Sequence, residues 1–228
     1  ILGADPGAVE RWDLESRVEE LPIHYAAAVG DVEIARILLE AGASIDAGDI
    51  DNSTALGIAA MRRHREMVDF LLENGADINR RDRKGDTPLS FSCYRQNEDM
   101  VLHLLEKGAD PYFRGPDGET LMHRACTRNL PRVVRYLVER KVDINTHAQY
   151  GVTPLGRAML SGNPDIVRML LESGAEVNPD IPEGENPPLA YSTWNGSVEM
   201  ASLLIEKGAD LDRRIFGGSS ILISAVQH

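Results

Sequence analysis

The sequence predicts an all-α solenoid, a stack of short helix pairs, because one pattern returns every 33 residues. Gly-Ala pairs mark that interval at Gly42-Ala43, Gly75-Ala76, Gly108-Ala109 and Gly174-Ala175, and the last pair, Gly208-Ala209, comes after 34 residues. A second series, Thr54, Thr87, Thr120 and Thr153, runs ahead of the first in the same register. Self-similarity at this period is typical of units that bury their apolar faces against one another. We therefore look for function on the surface of the stack.

The first helix of the unit is clearest after Thr87. Thr87 is an N-cap residue, and Pro88 stands at the first helical position, where its missing N–H costs nothing. Leu89, Phe91 and Cys93 continue a short helix with small residues on one side.

A second helix follows in the same unit. Asn97 is its expected cap, and Met100, Val101, Leu104 and Leu105 recur at helical spacing, which predicts an amphipathic helix. Gly108 ends it, because glycine adopts the left-handed conformation at little cost. An extended segment follows and turns at Gly118. The unit is therefore helix, turn, helix and finger.

These residues resemble the ankyrin repeat family, and the likeness covers nearly the whole chain. The run Asp82-Arg83-Lys84-Gly85-Asp86-Thr87-Pro88-Leu89 and the later run Leu104-Leu105-Glu106-Lys107-Gly108-Ala109-Asp110 match the family pattern at most of its defining positions. The resemblance implies an ankyrin-repeat α-solenoid whose helix-turn-helix units carry protruding β-hairpin or loop fingers.

The repeats divide the chain into three parts of one elongated domain. Residues 21–213 hold six repeats, residues 1–20 a partial or irregular N-terminal repeat, and residues 214–228 a finger and the first helix of a seventh. The sequence has no initiating Met and ends inside an expected helix, so we expect a longer parent chain.

Some positions depart from the family pattern. Lys141 replaces the glycine that ends the second helix, at a cost of about 1 kcal/mol if it is left-handed. The family histidine that braces neighbouring loops is kept only at His24 and His123. The sixth finger, residues 178–188, has four prolines and one extra residue, which predicts a stiff, extended and projecting loop; a tolerated insertion is the alternative.

Composition narrows the function class. The formal net charge of −12 argues against a nucleic-acid partner, and no apolar run reaches the length of a membrane span. Cys93 and Cys126 fall 33 residues apart in successive first helices, farther apart than a disulfide allows. Reduced thiols predict an intracellular protein, cytoplasmic or nuclear. Glu40 and its equivalents end every second helix and form a solvated acidic row.

Candidate partner-binding residues lie where ankyrin proteins typically meet their ligands, at the fingertips and the exposed ends of first helices. Arginine recurs in register over three repeats, beside apolar and aromatic residues. Tyr, Trp and Arg are the residue types that dominate interface energetics. The predicted binding residues are Met61, Arg62, Arg83, Lys84, Tyr94, Arg95, Arg128, Tyr150, Leu160 and Trp194, with Phe216 as a further fingertip residue. The alternative is that exposed helix ends accept any long polar side chain.

Catalytic patterns are poor. His123 and Cys126 share a helical face, but the chain has neither a CxxC pair nor an HExxH motif, so we expect no metal site and no cofactor. Asn79, Asn145 and Asn178 resemble hydroxylation sites of some ankyrin proteins, although asparagine is also ordinary consensus there.

Two function classes remain open. The first is a non-catalytic protein-interaction scaffold that holds a partner protein or peptide in a concave groove, and its arginine ladder favours an acidic partner. The second is an enzyme with a small-molecule pocket lined by groove aromatics and arginines. A deep closed cavity beside Tyr94 and Arg128 would favour the enzyme. The sequence leaves the partner and the oligomeric state open.

Overall fold

A computed structural model describes residues 21–180, 182 and 186–213. The chain forms two compact units, Ile1–Asp110 (unit 1) and Pro111–His228 (unit 2). In the described residues, helices come in six consecutive pairs, one pair per repeat. The first helices are α1 (Pro22–Val29), α3 (Ala55–Arg62), α5 (Pro88–Tyr94), α7 (Leu121–Thr127), α9 (Pro154–Ser161) and α11 (Pro188–Asn195). The second helices are α2 (Val32–Glu40), α4 (Arg65–Glu73), α6 (Glu98–Glu106), α8 (Pro131–Glu139), α10 (Pro164–Glu172) and α12 (Val198–Glu206).

The predicted helix ends of the third repeat are confirmed. The Thr87 side chain accepts a hydrogen bond from the Ser90 N–H, and Asn97 accepts one from the Met100 N–H at 3.4 Å. Gly108 is left-handed, with a φ of 97°. Lys141, at the same position one repeat later, has a φ of 56°. The strain expected of this lysine is therefore present.

Within each unit, first helices pack on first helices. In unit 1, α1 contacts α3 and α3 contacts α5; in unit 2, α7 contacts α9 and α9 contacts α11. Small and aliphatic residues form the core, and Ala26, Leu56 and Ala59 are fully buried in unit 1, as are Leu121 and Ala158 in unit 2. The scarcity of aromatic side chains follows from this close approach of thin helices.

The fingers connect each second helix to the next first helix. Antiparallel bridges pair Gly48 with Thr54 and Arg114 with Thr120 across two of them. The fourth finger turns through a single 3₁₀ turn, Gln149–Gly151, in which Tyr150 has a φ of 62°. The expectation for the sixth finger falls largely on residues 181 and 183–185, outside the described residues, as do residues 1–20 and 214–228.

Two further expectations concern the surface and the core. The second helices end at Glu40, Glu73, Glu106, Glu139, Glu172 and Glu206, all of which are exposed, so the acidic row is solvated as predicted. Cys93 and Cys126 are buried thiols outside any disulfide, and burial raises the pKa of the Cys126 thiol above its usual range. Of the described helices, none has both the length and the apolarity that crossing a membrane requires.

Candidate protein-binding face

The first helices and fingers of unit 1 enclose an open pocket of about 300 Å³. Its floor comes from α1, α3 and α5 through Ala28, Gly57, Ile58, Met61 and Phe91. Its remaining lining residues are His24, Asp49, Asp51, Ser53, Arg62, Asp82, Lys84 and Asp86. The pocket is therefore apolar at the floor and highly charged at the rim.

The floor depends on Gly57, which stands where the family has histidine. A Cβ atom at this position would lie 3.3 Å from the ring of Phe91. The absent side chain lets the Phe91 ring pack directly against the α3 backbone. Gly57 still belongs to a regular helix start, because its N–H donates to Oγ1 of Thr54 at 3.2 Å.

Two rim aspartates shape the fingertips. Oδ1 of Asp49 accepts the N–H groups of Asp51 and Ser53, each at 2.8 Å. Oδ1 of Asp82 accepts the N–H groups of Lys84 and Asp86, again each at 2.8 Å. Within the described part of the chain these bonds use only one carboxylate oxygen of Asp49 and of Asp82. Both charges are thus fixed at the rim by local turns.

Asp86 is held differently, since it is buried at the base of the second finger. Its Oδ1 accepts the hydroxyl of Ser90 at 2.9 Å, and Ser90 in turn completes a capping box with Thr87. Ser90 occupies the family histidine position, so the hydroxyl takes over the link between helix and finger.

The two retained histidines brace fingers, as the resemblance implied. Nε2 of His24 donates to the carbonyl of Ala47 at 2.8 Å, and Nε2 of His123 donates to the carbonyl of Val152 at 3.0 Å. Burial lowers the pKa of His123 to about 4, with Arg157 and Arg114 adding to the effect against the opposing Val152 carbonyl and Asp117. Both histidines are therefore structural groups rather than solvent-facing acids.

Of the predicted binding residues in unit 1, three line the pocket: Met61, Arg62 and Lys84. Arg83 is exposed next to it, and its N–H donates to the carbonyl of Asp51 in the preceding finger at 2.8 Å. Tyr94 is the last residue of α5 and is 40% exposed. Arg95 follows as an exposed C-cap, whose carbonyl accepts a hydrogen bond from the Arg63 side chain at 3.0 Å. We call these six predicted residues the ladder face of unit 1.

In unit 2 the predicted residues are less uniform. Arg128 is only half-buried, whereas Tyr150, Leu160 and Trp194 are exposed. The Trp194 ring packs edge-on against buried Tyr191, with 5.4 Å between ring centroids. Tyr150 and Tyr191 both line a narrow cleft beside Gly156. Phe216 lies outside the described residues.

Not every arginine at a first-helix position is a surface group. Arg124 is 3% exposed and lies over the ring of Phe113, 5.0 Å from its centroid. Buried Glu119 joins it to Arg157, whose Nη2 lies 2.6 Å from Oε1 of the carboxylate. This cluster ties the third finger of the chain to α7 and α9 and belongs to the architecture of unit 2.

The asparagines at finger bases have structural partners as well. Oδ1 of Asn79, Asn145 and Asn178 accepts the N–H of Asp110, Glu176 and Asp210 respectively, each at 2.9 Å. Each side chain thus links its own finger to the next repeat. Among the described residues, no group of three or more His, Cys, Asp or Glu side chains is placed to hold a metal ion.

Sequence reasoning missed the rim carboxylates Asp49, Asp51 and Asp82. The signal was available in the Asp-rich fingertips, but these residues were attributed to the repeat consensus alone. Their convergence on Met61 and Phe91 depends on how the fingers fold over α3 and α5, which single-repeat patterns do not reveal.

Comparison with known proteins decides the family. A family model described as ankyrin repeats (3 copies) matches residues 2–82, 23–115, 89–181 and 150–215. The chain belongs to the ankyrin repeat family. It is also similar to the crystal structure of the human ASB11 ankyrin repeat domain, with a TM-score of 0.77 and 31% sequence identity over 89% of this chain and 90% of that one. No curated protein matches the chain. Ankyrin repeats generally mediate protein–protein interaction.

Proposed function

We propose that this ankyrin repeat chain is a non-catalytic recognition module that binds a partner protein or peptide through its first helices and fingers. The pocket of unit 1 carries this proposal, because three residues predicted from the sequence as binding residues, Met61, Arg62 and Lys84, line the same concavity. Its apolar floor and charged rim have the composition expected of a recognition surface.

Exposed residues next to the pocket add potential anchors. Tyr94 exposes 40% of its surface, and Arg62 and Arg95 are exposed one repeat apart. Aromatic and arginine side chains dominate binding energy when a partner covers them. We propose that Tyr94 is the main anchor on the ladder face of unit 1, and that Arg62 and Arg95 attract acidic residues of the partner.

Trp194 is the corresponding anchor proposed for unit 2. Its ring is held against Tyr191, so it loses little side-chain freedom when a partner binds. The buried thiols Cys93 and Cys126 support a reducing, intracellular location, which fluorescence microscopy of the tagged parent protein would test.

Site-specific photo-crosslinking tests the binding face. A photo-reactive phenylalanine analogue replaces Tyr94 in one variant and exposed Glu106, at the end of α6, in a matched control. Both variants are irradiated in a lysate of the native source. We expect a discrete adduct from position 94 and none of that size from position 106. Equal labelling from both positions, or an adduct from position 106 alone, would place the binding surface elsewhere.

A further inference from the structure

The pocket of unit 1 has an electrostatic character opposite to that of the arginine ladder. Four aspartates, Asp49, Asp51, Asp82 and Asp86, line it together with two cationic side chains, Arg62 and Lys84. The lining therefore carries an excess of two formal negative charges. We infer that this pocket receives one lysine or arginine side chain of the bound partner, an inference that rests on the proposed function.

The floor suits the stem of such a side chain. Lysine and arginine carry several methylene groups beneath the charge, and these groups pack on apolar surface while the head stays near polar groups. Ile58, Met61 and the Phe91 ring supply that apolar surface. A cation above an aromatic ring is further stabilised by the ring quadrupole. A purely apolar side chain would leave the carboxylates at the rim partly desolvated without a partner.

The rim is arranged to accept hydrogen bonds from the head group. Asp49 and Asp82 use Oδ1 for the N–H groups of their own turns, which fixes each carboxylate at its fingertip. Asp51 is exposed on the first finger. Preorganised carboxylates lose little entropy when they bind a guanidinium or ammonium group.

A metal ion is a poorer occupant of the same pocket. Among the described residues, no cluster of three or more potential ligand side chains is close enough for one ion. Carboxylates that are spread around a pocket of about 300 Å³ instead match an extended organic cation. The partner segment therefore combines a basic residue in the pocket with acidic residues toward Arg95.

A peptide-display experiment tests this occupant. Random 12-residue peptides displayed on phage are selected against the whole 228-residue chain, and selected peptides are measured by fluorescence anisotropy. The test variant combines Asp51→Asn with Asp82→Asn, which removes two charges and keeps the side-chain oxygen that accepts N–H bonds at position 82. The matched control combines Glu40→Gln with Glu73→Gln, two exposed helix-end carboxylates of the same unit.

We expect selected peptides to share one lysine or arginine. The Asp51/Asp82 variant should bind them about three- to tenfold more weakly, and the control should bind unchanged. Changing the shared basic residue to norleucine should cause the same loss, and combining both changes should cause little more. Peptides without a shared basic position, or equal binding by the test and control variants, would overturn the inference.

Tyr94→Ala separates this inference from the proposed function. If this variant weakens peptide binding while the Asp51/Asp82 variant does not, the ladder face binds partners but the pocket takes no cation. If neither variant weakens binding, or if no peptide is selected, both proposals fail.

Discussion

Lys141 stands in the fourth repeat at the position that Gly42, Gly75, Gly108, Gly174 and Gly208 occupy in the other described repeats. All five glycines have positive φ, and Lys141 adopts the same conformation with a φ of 56°. A side chain in the left-handed region crowds the following carbonyl oxygen and costs roughly 1–2 kcal/mol. The repeat thus imposes its backbone even where the sequence does not favour it.

Lys141→Gly is therefore expected to raise the free energy of unfolding by about 1 kcal/mol, because glycine removes the steric cost. Urea denaturation followed by circular dichroism measures it. Ala41→Gly is the matched control, since Ala41 caps α2 with a φ of −80°. At this position glycine should cost roughly 0.5–1 kcal/mol through backbone entropy. A destabilised Lys141→Gly variant would contradict the strain argument.

His24 shows the consequence of a missing hydroxyl. Its Nδ1 is buried and has no hydrogen-bond partner in the described structure, because Leu21 occupies the N-cap of α1. In the fourth repeat the corresponding groups are joined, with Oγ1 of Thr120 2.9 Å from Nδ1 of His123. An unsatisfied buried acceptor is costly.

Leu21→Thr should raise the free energy of unfolding by about 1 kcal/mol, because the new hydroxyl caps α1 and donates to His24. The comparison is again a urea titration, with Leu21→Val as the control of similar shape that lacks a hydroxyl. If the threonine and valine variants have equal stability, the His24 ring does not gain the expected bond.

Helix packing sets the scale of stability at the level of elements. Leu104 of α6 is fully buried, whereas Leu160 of α9, a predicted binding residue, is 42% exposed. Truncating a buried leucine leaves a cavity, and truncating an exposed one does not. The two leucines therefore separate core from surface within one sequence.

Leu104→Ala is expected to lower the free energy of unfolding by about 2–5 kcal/mol, while Leu160→Ala should change it by no more than about 0.5 kcal/mol. Denaturation curves in urea give both values. A large effect of Leu160→Ala would mean that this side chain supports the fold rather than waiting for a partner.

The histidine brace between α7 and the next finger makes stability depend on pH. The folded-state pKa of His123 is about 4, below its ordinary value of 6.5. Between these values the unfolded chain binds a proton that the folded chain does not, so stability falls as pH falls. The contribution is fully present above about pH 6.5 and is lost toward pH 4. A difference of this size corresponds to about 3 kcal/mol.

Replacing this histidine should flatten the pH dependence. His123→Gln is expected to be less stable at pH 7.5 but to lose less stability between pH 7.5 and pH 5 than the original chain, because glutamine does not titrate. Unfolding free energies from urea titrations at the two pH values provide the test. Identical pH slopes for both proteins would show that His123 is not the responsible group.

At the scale of the whole molecule, the sequence determines more of the fold than of the binding face. The ends of α5 and α6 could be predicted because Thr87, Pro88 and Asn97 act on neighbouring N–H groups within one turn. Burial of Arg124 could not, since its register equals that of exposed Tyr25 and only Glu119 and Phe113 distinguish it.

The same distinction holds for the candidate site. Arg62 and Lys84 could be proposed as surface groups from repeat register alone. Their shared pocket with Asp49 and Asp82 requires contacts between fingers and helices of different repeats. Such long-range placement is not encoded in the period, so the acidic rim emerges only from the folded structure.

Charge and burial should affect different rate constants of partner binding. Aromatic anchors act after contact, so their loss shortens the lifetime of the complex. Exposed arginines act mainly on approach through long-range attraction that salt screens. Combined Arg62→Glu, Arg95→Glu and Arg128→Glu substitutions are therefore expected to lower the association rate constant and its salt dependence.

The dissociation rate of the crosslinked and then purified partner tests the central claim most directly. Surface plasmon resonance compares the original chain with Tyr94→Ala and with Glu106→Ala, which changes the opposite, acidic row. Loss of an anchor worth about 2 kcal/mol should raise the dissociation rate constant roughly thirtyfold for Tyr94→Ala, and Glu106→Ala should leave it unchanged. An unchanged rate for Tyr94→Ala in a folded protein, or a larger effect of Glu106→Ala, would contradict binding through the first helices and fingers.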